Sequence, residues 1–131
     1  PAGKSGSSYT IASTVSEIGY GAFLSLSLVN VTIPPTVTTI HDNAFAVCSS
    51  LHNINIPTSV TSIGTRAFCF SFQDTVSTIF IPSSVVSIGL QEFWGCSNLS
   101  IYCEAPSKPA GWADSWNQDM LPVFWNQTSA P

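Results

Sequence analysis

Charge is what this 131-residue chain has least of: charged residues make up 8% of it, against roughly 25% in an average globular domain. Lys4, Arg66 and Lys108 are the only lysine or arginine residues. Three such cations cannot neutralise a run of phosphates, which excludes nucleic acid as a partner, and the same shortage excludes a basic face for membrane surfaces. No apolar run approaches the roughly 20 residues of a membrane span. No signal peptide opens the chain, which begins at Pro1, so a removed leader or a place inside a longer polypeptide is expected.

Chemistry-bearing patterns are missing too. The cysteines, Cys48, Cys69, Cys96 and Cys103, have neither C-x-x-C spacing nor accompanying histidines, so no zinc site is expected. The carboxylates Glu17, Asp42, Asp74, Glu92, Glu104, Asp114 and Asp119 are scattered and form no D-x-D-x-D calcium loop. No G-x-S-x-G elbow singles out a serine nucleophile. His41 and Asp42 are neighbours that an extended turn sends apart, and His52 reads as a solvated strand histidine without partners. Neither catalysis nor a cofactor is expected.

Serine and threonine, 21 and 12 residues, take the place of charge and surround an apolar share of 44%. The chain repeats itself: IASTVSEIGYGAF (11–23), IPPTVTTIHDNAF (33–45), IPTSVTSIGTRAF (56–68) and IPSSVVSIGLQEF (81–93). The closing residues Phe23, Phe45, Phe68 and Phe93 follow at steps of 22, 23 and 25, which places insertions in the linking turns. A unit this short cannot bury its apolar face alone, so the copies must stack as a solenoid.

Each unit divides into three parts. A strand of form L-x-x-I-x-I-P directs Leu28, Val31 and Ile33, then Leu51, Ile54 and Ile56, then Val76, Ile79 and Ile81 inward, with Pro34, Pro57 and Pro82 ending it. One such strand per coil predicts a parallel sheet along one side. The extended V-x-x-I-G segment follows, its glycine (Gly19, Gly64, Gly89) predicting positive φ or close approach of the next coil, with His41 tolerating that place in the second copy. The third part, A-F, predicts an internal phenylalanine ladder. Cys48 and Cys96 lie at equivalent positions two rungs apart, about 10 Å at roughly 5 Å per rung and too far for a disulfide. Buried thiols are expected, with Cys96 and Cys103 the one pairing left open.

The blocks IPTSVTSIGTRAF and IPSSVVSIG, with AFAVCSSL and FWGCSNL after the phenylalanine, resemble the BspA-type (Treponema pallidum-type) leucine-rich repeat, and IYCEAPSKPAGWADSWN followed by PVFW is similar to the segment that often closes such arrays. Ala12, Glu92 and the run Phe70-Ser71-Phe72 depart from the pattern. The resemblance implies a right-handed, mainly β leucine-rich-repeat solenoid with short turns or 3-10 segments. A flexible lead-in is expected over 1–8, about four coils over 9–103, and a Trp-rich cap and tail over 104–131, where Trp112, Trp116, Phe124 and Trp125 cover the last coil. Nothing comparable precedes Tyr9, so a bare end is expected there.

Outward strand positions should form columns: Thr10, Thr32, Asn55, Phe80, Tyr102; Ser8, Asn30, Asn53, Thr78, Ser100; and Val29, His52, Ser77. Asn53, Asn55, His52, Thr78, Phe80 and Tyr102 are the candidate contact residues, with exposed aromatics on a neutral field as the main attraction. The sequons at Asn30, Asn98 and Asn126 are candidate glycosylation sites. BspA-type proteins include surface adhesins, so the resemblance implies an extracellular or cell-surface domain that binds a host, matrix or other surface protein. A structural spacer or self-assembling subunit of a surface layer or filament is the alternative.

Overall fold

The computed structural model describes residues 7–131. Its strands, in chain order, are β1 (Ser7–Thr10), β2 (Glu17–Ile18), β3 (Leu28–Thr32), β4 (Thr39–Ile40), β5 (Asn53–Asn55), β6 (Ser62–Ile63), β7 (Ser77–Ile81), β8 (Ser87–Ile88), β9 (Leu99–Cys103) and β10 (Val123–Phe124). No helix occurs among the described residues. Every pairing is parallel, each rung lying on its equivalent one repeat away. The first six residues of the expected lead-in lie outside the described residues. Ser7 and Ser8 belong to β1, because register places Ser8 beside Asn30.

Each coil carries more than one strand. The L-x-x-I-x-I segments form the sheets β1-β3-β5 and β7-β9-β10 on one side, and the V-x-x-I-G segments form the sheet β2-β4-β6-β8 on another. This second ladder is an addition to the expected single strand per coil. Ile18, Ile40, Ile63 and Ile88 point inward from it and the neighbouring serines and threonines remain at the surface, the alternation expected of a half-buried strand.

The phenylalanines stack between these sides. Phe23 and Phe45 lie 5.1 Å apart and 2° from parallel, Phe45 and Phe68 5.4 Å and 6°, Phe68 and Phe93 5.8 Å and 16°. Tilted rings end the column: Tyr9 against Phe23, and Trp116 edge-on to Phe93. The tail supplies the second of these. Trp112 and Trp116 are buried in the same core, packed with Trp125, and the Trp112 indole donates to the Val85 carbonyl at 3.0 Å. Phe124 does not join them. It is 44% exposed and stacks on Tyr102, since β10 extends the strand ladder and alternation turns this residue outward.

At Gly64 and Gly89 the repeated glycine works by close approach, whereas nothing lies within 4 Å of where a Cβ on Gly19 would be. Gly64 and Gly89 have no positive φ, but a Cβ on Gly64 would lie 2.5 Å from the Asp42 main-chain nitrogen, and one on Gly89 2.5 Å from that of Thr65. The left-handed backbone occurs two residues later, at Gly21, Asn43, Arg66 and Gln91, and again at Ser25, Val47, Phe70 and Gly95. His41 accordingly needs no left-handed tolerance. Its ring pairs with Glu17 at 2.6 Å and packs on Tyr20.

Val76 is 77% exposed, contrary to the expected inward position. Coils two and three place three steps between the leucine and the next inward residue (Leu28 to Val31, Leu51 to Ile54), whereas β7 pairs as a regular strand with Ser77 opposite Leu99. The buried position therefore falls on Ser77, and Phe72, fully buried against Phe68, fills the space. The insertion that lengthens this coil is what carries Phe72 inward.

Glu92 occupies the place of Ala44 and Ala67 and is fully buried, with neither carboxyl oxygen hydrogen-bonded. Burial holds its pKa well above the ordinary carboxyl range; the Asp42 charge acts in the same direction, and attraction to the Ala67 main chain counters it only in part. A carboxyl that is protonated in the fold and ionised in the unfolded chain makes stability fall as pH rises from the ordinary carboxyl range toward the raised pKa.

Two outcomes follow for urea unfolding. Phe68→Ala removes a ring stacked on both sides and costs about 3–5 kcal/mol, whereas Phe23→Ala, at a half-buried ring, costs less. Wild-type stability declines above the ordinary carboxyl range by at most about 1.4 kcal/mol per pH unit from this group, and Glu92→Gln flattens that decline.

The strand face as candidate binding surface

The outward positions of the strand ladder form the expected columns in two separate halves, broken between β5 and β7, and Ser77, expected to lie outward beside His52, is buried. Ser8, Asn30 and Asn53 are in register, and their side chains bond along the stack: Asn30 Nδ2 donates to Ser8 Oγ at 3.1 Å, and Asn53 Nδ2 to Asn30 Oδ1 at 2.7 Å. Beside them Thr10, Thr32 and Asn55 align. In the later coils Thr78 faces Ser100, and Phe80, Tyr102 and Phe124 are in register, with Tyr102 and Phe124 stacked at 4.8 Å. Asn53 and Asn55 are exposed; Thr78, Phe80 and Tyr102 are half-buried. The polar half of the face is thus amide-rich and the other half aromatic.

His52 is half-buried and bonded, not freely solvated. Its Nδ1 lies 3.0 Å from Ser77 Oγ and 3.1 Å from Thr75 Oγ1, at a hollow of about 240 Å³ that Val29, Ser50 and Asp74 also line. Ser50 Oγ donates to Asp74 Oδ2 at 2.7 Å. Serine, histidine and aspartate meet here without a relay geometry, because the carboxylate holds the serine and the imidazole is engaged by other hydroxyls. The insertion before β7 brings Asp74 and Thr75 over His52, a proximity that repeat spacing does not reveal.

A cleft of about 360 Å³ also opens on this face, lined by Asn53, Ile54, Asn55, Thr78 and Phe80 and, on its remaining side, by residues 128–131. None of the lining side chains carries a charge. Residues 128–131 thus lie beside Phe80, a position that a non-repeating segment, having no register, does not reveal in detail.

The four cysteines are free and buried, and Cys96 and Cys103 form no bridge. Cys48 Sγ donates to the Phe23 carbonyl and Cys96 Sγ to the Phe68 carbonyl, each at 3.1 Å, repeating one contact two coils apart. Burial pushes the Cys48 thiol up to about 11 and those of Cys96 and Cys103 up to about 12, and raises Cys69 as well. Among the described residues no cluster of three or more histidine, cysteine, aspartate or glutamate side chains could hold a metal ion, and no helix is long and apolar enough to cross a membrane.

Stacked short coils that each lay a parallel strand on one common face define a solenoid of the leucine-rich-repeat class. Within that class the chain belongs to the BspA-type leucine-rich repeat family, whose pattern matches residues 3–103 in six copies. A solved leucine-rich repeat protein from Bacteroides ovatus is similar, with 37% identity and a TM-score of 0.65 over 72% of this chain. The match covers 24% of that protein, so this chain corresponds to about a quarter of it. No curated protein matches significantly.

Thiol labelling checks the core. With the raised pKa values and burial, a thiolate-directed alkylating reagent at neutral pH should modify none of the four cysteines in the folded chain and all four in denaturant. Rapid labelling of any one under native conditions would contradict its placement.

Proposed function

We propose that the chain is a non-catalytic recognition domain, presented outside the cell or at its surface, that binds another protein through the strand face. The observation that carries this reading is the run of Phe80, Tyr102 and Phe124 in register on an uncharged, amide- and hydroxyl-bearing surface. Aromatic rings held rigidly by stacking lose little conformational entropy on binding, and such rings are enriched among contact hot spots. Membership of a leucine-rich repeat family supports the reading, because this architecture serves protein interaction. Asn53, Asn55, Thr78 and His52 supply the hydrogen-bonding rim. With so little charge, affinity depends only weakly on salt.

The sequons fit an extracellular setting unequally. Asn98 and Asn126 are exposed, although Asn98 Nδ2 donates to the Gln73 carbonyl at 3.0 Å. Asn30 is half-buried within the face, and a glycan on its Nδ2 would displace the bond to Ser8.

The alternative, a spacer or self-assembling surface-layer or filament subunit, is favoured by one observation: among the described residues β1 and β2 are each paired on one side only. Sedimentation velocity over a wide concentration range separates the two readings, since growth with concentration marks self-association.

Screening biotinylated chain against an array of extracellular and matrix proteins tests the leading reading. For any protein captured, Phe80→Ala with Tyr102→Ala should weaken binding about tenfold or more while the melting curve stays close to that of the parent. Unchanged affinity would remove the strand face from the contact.

A further inference from the structure

The strand ladder is interrupted at one place. β5 pairs with β3 and β7 pairs with β9, but no regular strand pairing joins β5 to β7. On the other side β6 and β8 remain in register, Ser62 with Ser87 and Ile63 with Ile88, so the same two coils are joined there. The seam coincides with the change from the three-step count of Leu51 to Ile54 to the two-step count of Ser77 to Ile79, a mismatch of the kind that disrupts a ladder locally. β5 and β7 still run side by side there, but without regular ladder pairing, so what this level of the face offers a partner is set by its side chains.

Side chains over the seam have polar groups to spare. Asn53 Nδ2 is tied to Asn30, which fixes the amide and leaves its Oδ1 able to accept. The side chains of Asn55 and Thr78 have no hydrogen-bond partner among the described residues. Two residues apart on one strand, Asn53 and Asn55 project to the same side about 7 Å apart, which is the repeat of the groups on one side of an extended peptide. A primary amide carries both donors and an acceptor and so complements a peptide group. Phe80 adds an apolar side chain to the lining of the cleft.

We propose that this cleft binds an extended, uncharged polypeptide segment chiefly through the segment's main chain. The proposal rests on the strand-face reading and narrows it to one kind of ligand. The residues completing the cleft, Thr128, Ser129, Ala130 and Pro131, carry uncharged side chains, so polypeptide of this character sits beside the surface. Free amide and hydroxyl groups with no ionisable side chain at the cleft select against a charged segment, whose desolvation nothing here would offset.

A random-peptide phage library selected on the immobilised full chain tests this. Synthetic versions of the recovered peptides are then measured by fluorescence anisotropy on the parent, on Asn53→Ala/Asn55→Ala and on Phe80→Ala/Tyr102→Ala. Uncharged peptides are expected, with affinity lowered about tenfold or more by the asparagine pair and by N-methylation at alternate peptide positions. Both asparagines are exposed, and an unchanged melting curve confirms that the variant folds. Peptides that depend on Phe80 and Tyr102 but not on Asn53 and Asn55 overturn the seam and leave the strand face standing. Peptides insensitive to all four overturn both readings. Recovery of no peptide, including the case in which the chain retains a neutral oligosaccharide instead, overturns the proposal.

Discussion

A coil of 22 to 25 residues has too little apolar surface to form a core by itself, so each coil depends on the ones beside it. The phenylalanine column is where this dependence is concentrated. Rings repeat at 5.1 to 5.8 Å, close to the roughly 4.8 Å separation of paired strands, so one spacing satisfies both ring stacking and backbone hydrogen bonding. The other repeated features serve this spacing. Gly64 and Gly89 let adjacent backbones approach, and the two columns of left-handed residues turn the chain in the same way at every level. Even Val47 adopts that backbone, an unfavourable choice for a β-branched residue that the surrounding coils impose.

The fourth coil shows how far the repeat can be altered while the stack survives. It accepts an insertion, a buried carboxyl at Glu92 and a change of strand count, and yet the second ladder and the aromatic column pass through it in register. The disturbance is confined to one face. There the amide column ends at Asn53, the aromatic column begins at Phe80, and the tail returns beside the junction. The most irregular part of the molecule therefore lies on the surface with the greatest capacity for contact.

Much of this was legible in the chain alone, for identifiable reasons. The four blocks align at constant offsets, so inward isoleucines, the phenylalanine ladder and the outward columns could be read as periodicity. What could not be read depends on count or on neighbours. Val76 occupies a leucine-like place in the alignment, but the insertion moves burial to Ser77 and Phe72. The glycine could be marked as special but not assigned between left-handed backbone and close approach, because that choice belongs to the coil packed against it. Phe124 has the composition of the tryptophan cluster and the register of a strand, and register decides its direction. The groove-lining role of residues 128–131 has no repeat to reveal it.

The seam also has a mechanical consequence. Coils three and four are joined by a regular hydrogen-bond ladder on one side, and on the strand-face side by packing and isolated bonds such as His52 to Ser77 and Gln73 N–H to the Ser49 carbonyl. Such a joint is anisotropic: bending that spreads the strand face strains packing and isolated hydrogen bonds, whereas bending that spreads the opposite side must break a continuous ladder. The stack is most compliant at this level and in this one direction, so a small change in the angle between the coils alters the curvature of the whole face.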